Sequence, residues 1–180
     1  DYRAQIHHRL KHHLQIEREG RTAGASISTK DINNKRYIEG VIKCWLIDTG
    51  CGEDLVSKTE ISDVVKIVQK APRPLMFHTA NGDVPCDEII PMFVKEFGET
   101  VEPYVLDQTP AVLSVGYRCM EKGYTFVWPP GERPYFILPS GWIIQLEVID
   151  NIPYMKPKTV AIRRPKGKRC FACGAQSSVD

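Results

Sequence analysis

Asp48, Thr49 and Gly50 are the residues best suited to chemistry, and they follow the run Lys43-Cys44-Trp45-Leu46-Ile47 directly. The bulky residues of that run predict a strand whose end sits in a core. A carboxylate placed there is costly to bury unless it is paired, hydrogen-bonded or protonated. Gly50 and Gly52 leave the backbone open to close approach. The pattern points to Asp48 as a catalytic carboxylate, although an Asp before Gly also makes an ordinary turn.

Other reactive types are scattered. Cys51 is either an oxidation-sensitive thiol beside Asp48 or a packed, inert one. His78 with Cys51 or Cys86 lacks the surroundings of a nucleophile pair, and His78 reads as a cross-strand surface residue. His7, His8, His12 and His13 lie on a basic, helix-like stretch; a shared face could hold a metal, or the stretch is a solvated arm. Cys170 and Cys173 form a C-x-x-C behind seven cations over residues 156–169. They offer half a zinc site, but Ser178 stands where a zinc knuckle needs His, and plain thiols on a basic arm are the alternative. The basic tail suits phosphate contacts, so nucleic acid is a possible partner.

The elements that position these residues are mostly strands. Apolar residues make up 42% of the 180 and charged residues 26%, which excludes a wholly disordered chain. No apolar run approaches the roughly 18 residues of a membrane span, so no membrane partner is expected. The start lacks the apolar core of a signal peptide, and the six cysteines are read as reduced thiols. An intracellular, cytoplasmic setting is the expectation. The chain begins at Asp1 rather than Met, which fits a piece of a longer translation product. Net charge is +4 over residues 1–36, −8 over 37–155 and +6 over 156–180. This predicts a folded acidic domain at 37–155, a basic His-rich arm and linker at 1–36, and a basic tail at 156–180.

Within the domain, residues 37–48 read as one or two strands, with a helical turn near Asp63–Gln69 that Pro72 and Pro74 end. Residues 74–97 read as a long hairpin with Asn81-Gly82 at its tip. Pro85 and Pro91 confine its strands to edges or bulges. One further strand is expected before Asp107, then a buried run ending at Gly116 and a short helix capped at Gly123. A strand follows at 124–128, and two more flank Ser140-Gly141.

WLIDTG, the hairpin tip TANGDV and TPAVLSVG before a short helix resemble a retropepsin, the homodimeric aspartic protease of retroelements. SVGYRCMEKGYTFVWPPG and ILPSGWIIQLEVIDNIPYM are similar, more narrowly, to the protease region of copia-type retrotransposon polyproteins. The resemblance covers about residues 38–155. It implies a mostly-β, closed-barrel acid-protease fold with one short C-terminal helix and flexible basic arms. It also implies an aspartic endopeptidase that cuts a retroelement polyprotein without a cofactor. One Asp-Thr-Gly supplies half of the carboxylate dyad, so a second copy is the implied partner. Asp48 would be the acid/base, Thr49 a link across the two-fold axis, and Gly50 the amide that approaches the carboxylate. His78, Thr79, Ala80, Asn81, Gly82 and Asp83 would form a flap over the peptide substrate. Val112 and Leu113 would pack beneath the active-site loops, with Gly116 at the turn into the helix.

One departure bears on activity. The family pattern continues with Ala and then a small hydroxyl or acidic residue, where this chain has Cys51 and Gly52. Two other readings therefore stand beside the protease: a catalytically inactive retropepsin-like binding or assembly module, and a zinc-dependent nucleic-acid-binding fragment.

Overall fold

A computed structural model describes residues 28–32, 35–79, 82–157, 159 and 161–163. In chain order the strands are β1 (Ser28–Ile32), β2 (Lys35–Glu39), β3 (Trp45–Asp48), β4 (Leu55–Ser57), β5 (Gln69–Thr79) and β6 (Gly82–Ile89). Next come β7 (Met92–Val94), β8 (Glu99–Val101), β9 (Tyr104–Leu106) and β10 (Val112–Ser114). After helix α1 (Val115–Glu121) follow β11 (Thr125–Val127), β12 (Tyr135–Ile137), β13 (Trp142–Gln145), β14 (Glu147–Ile149), β15 (Ile152–Met155) and β16 (Ala161–Arg163). A 3-10 helix spans Ser62–Ile67. Mostly β is the class.

The expected closed barrel is not what the strands make. Among the described residues they form three sheets, and the largest runs β14-β15-β3-β10-β4-β9-β6-β5 as an open sheet. Its edges, β14 and β5, do not pair with each other, and β6 is bonded to the rest of the sheet through the Ile89–Tyr104 pair. The helix is not C-terminal either, since the strands β11 to β16 follow it.

Alternation sorts the large sheet into two faces. Trp45, Ile47, Val56, Val105 and Leu113 point into the main core, where they meet Phe136, Ile144 and Leu146. Leu46, Leu55, Tyr104, Leu106 and Val112 take the opposite face and build a second cluster. That second face carries the site.

Pro72 and Pro74 do not end an element but lie inside β5, where the register slips between Lys70 and Leu75. An edge strand with a bulge accommodates them because their missing N–H groups face no neighbour. The expected strand before Asp107 is two, β8 and β9, split at Glu102-Pro103, and the segment around Ser140-Gly141 supplies four strands. Asp150 and Asn151, both at positive φ (50° and 62°), make the tight turn between β14 and β15. Strand pairing also reaches past the expected bounds at 37 and 155. β1 pairs with β2 inside the segment read as linker, and β16 pairs with β13 inside the segment read as tail. The four N-terminal histidines, Cys170 and Cys173 lie outside the described residues.

Candidate active site

β10 lies between β3 and β4, parallel to the first (Leu113 beside Ile47, Ser114 beside Asp48) and antiparallel to the second. The chain leaving β3 must therefore cross the end of β10 to begin β4, and the crossing segment is Thr49–Asp54. Val112 and Leu113 are both buried, but on opposite faces: Val112 shares the second cluster with Cys51 of the crossing segment, and Leu113 points into the main core. Asp48 is half-buried and has the parity of Leu46, so it belongs to the face that carries the second cluster.

The Gly50 amide donates to Asp48 Oδ1 at 2.7 Å. A Cβ at Gly50 would stand 3.4 Å from that oxygen, at the near edge of ordinary van der Waals contact. Thr49 and Gly50 are exposed. Farther along, the Cys51 thiol donates to the Glu53 carbonyl at 3.0 Å. Burial pushes the thiol above its ordinary value, and the charges of Asp48, Asp54 and Glu53 add to this against the hydrogen bond to Glu53. A thiol that holds its proton more tightly than usual fits the packed reading of Cys51 better than the reactive one.

What fixes the loop is a network that residue types alone did not suggest. Asp54 is 5% exposed and Arg118 1%. Arg118 Nη1 and Nη2 donate to Asp54 Oδ1 and Oδ2 at 2.6 and 3.1 Å, a two-pronged pair. Nη1 also reaches the Ser114 carbonyl at 3.2 Å, while the guanidinium lies 5.1 Å from the centre of the Phe97 ring. The Ser114 amide donates to Asp54 Oδ1 at 2.8 Å. Ser114 Oγ accepts from the Tyr117 amide at 3.0 Å, capping α1, and donates to the Cys51 carbonyl at 2.6 Å. Loop, β10 and helix are thereby tied at one residue. The expected turn at Gly116 is already inside α1, and Ser114 is the residue at the turn. The local signals were present (a Ser at the junction, an Arg one turn on, an acid six residues after Asp48), but nothing in their spacing joined residues 64 apart.

Thr79 pairs with Gly82 and His78 with Asp83 at the outer end of the β5–β6 hairpin. His78 Nδ1 stands 2.7 Å from Asp83 Oδ1, and Thr79 Oγ1 donates to the Gly82 carbonyl at 2.8 Å. Gly82 has φ 113°, which few side chains tolerate. Ala80 and Asn81 lie outside the described residues. Leu75, Phe77 and Val84 pack on the second cluster, which also takes in Leu46, Cys51 and Val112. Phe77 meets Tyr104 edge-on at 5.4 Å. One apolar lining thus runs from the hairpin to the residues flanking Asp48. Among the described residues His78 forms no pair with a cysteine: Cys86 is buried with its thiol toward the Val105 carbonyl, while His78 is exposed and meets Asp83.

A cleft of about 420 Å³ opens between the crossing loop, the foot of β5, β8 and α1. Its wall carries Glu53, which pairs with Arg73 at 3.0 Å, and Glu99, half-buried against Tyr124. Burial pushes the Glu99 carboxyl above its ordinary value, opposed by the charge of Arg118 and a hydrogen bond with Tyr124. The Tyr124 phenol is pushed up as well, by burial first and by Glu99 second.

Among the described residues no group of three or more His, Cys, Asp or Glu is placed to hold a metal, and no helix is long and apolar enough to cross a membrane. No protein-family model, characterised protein or solved structure matches the chain.

Proposed function

We propose that the chain is an aspartic endopeptidase of the retropepsin type that works as a homodimer on peptide bonds of a retroelement polyprotein. One observation carries this reading: Asp48 ends a strand on the sheet face shared with the β5–β6 hairpin, its carboxylate oxygen bound by the Gly50 amide, with Thr49 and Gly50 open to solvent. A single carboxylate of this kind is half a machine. Peptide hydrolysis by water needs one group to accept a proton from water and another to protonate the carbonyl oxygen. Two Asp48 carboxylates about 3 Å apart across a two-fold axis would share one proton and supply both roles. The exposed Thr49-Gly50 turn is the surface on which two copies would meet. The hairpin would close over an extended peptide and exclude water.

The network under the loop favours a working site over a relic. Ser114, itself held by Asp54 and Arg118, anchors the backbone at Cys51, and this offsets the hydroxyl or acid absent at Gly52. The competing reading, an inactive binding or assembly module, draws on that same Cys51-Gly52 departure.

An apolar peptide substrate at mildly acid pH separates them. Active protein should be a dimer by sedimentation, should be blocked by a statine-type inhibitor, and should lose ~10²- to 10⁴-fold in turnover on Asp48→Asn. Equal turnover of wild type and Asp48→Asn, or activity in a strict monomer, ends the reading of a homodimeric aspartic protease.

A further inference from the structure

We infer that the cleft beside the crossing loop is a binding site for basic side chains of the peptide substrate, lying outside the catalytic groove. The inference rests on the protease reading for its occupant, but its geometry stands alone. The cleft borders Glu53 and Asp54, five and six residues after Asp48 on one loop, and Pro72 and Arg73 at the foot of the hairpin. Five residues of chain span at most about 18 Å, so a peptide extended from Asp48 reaches the cleft within about five residues of the scissile bond.

The charges decide what enters. Asp54 is neutralised by Arg118 behind the wall, and Glu53 by Arg73. Lys122, the other cation of the lining, stands over the Tyr117 ring at 5.5 Å and keeps its charge, which acts on Glu99. The lining holds four carboxylates, Glu53, Asp54, Glu99 and Glu102, against the two cations Arg73 and Lys122, so the cleft stays net acidic; Glu99 is on the wall, hydrogen-bonded to Tyr124, and Glu102 on the exposed rim. Between them Ile89, Val101 and Tyr104 supply apolar wall. Lys and Arg suit such a site because their long stems pack on apolar surface while the cationic head meets carboxylates. At about 420 Å³ the volume falls in the range of ordinary ligand pockets and exceeds what one side chain fills. The sequence offers a matching partner: the folded middle carries −8 and the segments on either side +4 and +6, including Arg164-Pro165-Lys166-Gly167-Lys168-Arg169. A protease that cuts near its own borders would meet peptides of this charge.

The test uses the full chain and matched peptides sharing one apolar scissile core, flanked by Lys/Arg, by Gln or by Glu. Fluorescence anisotropy on Asp48→Asn, which needs no turnover, should show roughly tenfold tighter binding of the Lys/Arg peptide than of the Gln peptide at low salt, shrinking as salt rises. The Glu peptide should bind more weakly than either. Glu102→Lys, at an exposed position where folding is not at issue, should remove most of the preference. Glu99→Gln should remove the remainder. Equal affinity for the three peptides, or an unchanged preference in Glu102→Lys, overturns the inference. Wild-type cleavage separates it from the parent reading: equal cleavage of all peptides rejects the cleft and keeps the protease. Charge-selective binding without any cleavage keeps the cleft and rejects the protease.

Discussion

Two aspartates six residues apart on one loop are treated in opposite ways. Asp54 is buried and receives both prongs of Arg118 as well as the Ser114 amide. Asp48 is half-buried, and the hydrogen bond it accepts from within its own turn comes from Gly50. The first carboxylate is spent on structure, with its charge cancelled by a cation held inside the fold. The second keeps an oxygen bound and the site otherwise open. A chain that buries one carboxylate so thoroughly leaves the other, six residues earlier, partly open to solvent, as the proposed role of Asp48 requires.

The largest effect should come from breaking the Asp54 side. Arg118→Leu strands a buried carboxylate, and about 3–5 kcal/mol of stability should be lost, read from the midpoint of urea unfolding. Asp54→Asn combined with Arg118→Leu should recover part of that loss, because no uncompensated charge remains. A double variant no better than Arg118→Leu would show that the guanidinium matters for its packing on Phe97 and not for its charge.

Ser114→Ala probes the tie between the two aspartates. It removes the cap of α1 and the donor to the Cys51 carbonyl while leaving the backbone amide on Asp54. About 1–2 kcal/mol should go, and turnover should fall by more than unfolding explains, since the segment after Gly50 loosens. Turnover that follows the folded fraction alone would limit Ser114 to a capping role.

A smaller, pH-dependent effect belongs to Glu99, which borders the Arg118 side. Its folded value lies above the ordinary 4.5, so the folded state holds the proton more tightly than the unfolded chain. That contribution to stability is complete below the ordinary value and is lost as pH rises through the raised one. Melting temperature should therefore decline across that interval, and Glu99→Gln should flatten the decline. An identical slope in the variant would assign it to other groups.

How much of this was legible follows from range. The strand into Asp48, the run through Val112 and Leu113 and the helix after it are local patterns, and each appears close to where hydrophobic periodicity puts it. The hairpin turn near Gly82 is equally local, needing a residue at positive φ. β4 and β9, three residues each, are too short to show a period, and tertiary pairing defines them. The first part of β5, up to Arg73, was hidden because its prolines argue against a strand until the bulge is seen. Asp54 and Arg118 were readable as ordinary surface charges, and only the crossing of the loop over β10 brings them together. Residue type announced the half of the site that the protease reading assigns to chemistry. Topology was needed for the half that holds it in place.

The smallest expected effect on stability is at Asp48 itself. An Asn side chain keeps an oxygen that can accept from the Gly50 amide, and no buried cation loses its partner. Asp48→Asn should shift the urea midpoint by less than about 0.5 kcal/mol, against several for Arg118→Leu. The same substitution should leave dimer assembly by sedimentation intact, because the turn geometry survives the loss of charge. If Asp48→Asn instead stabilised the fold by more than about 1 kcal/mol, the wild-type carboxylate would be held under strain. The contrast between the two aspartates would then be one of cost, with Asp48 the destabilising group and Asp54 the satisfied one. If it destabilised as much as Arg118→Leu does, Asp48 would be a structural residue like its neighbour, and the case for chemistry at this turn would be lost.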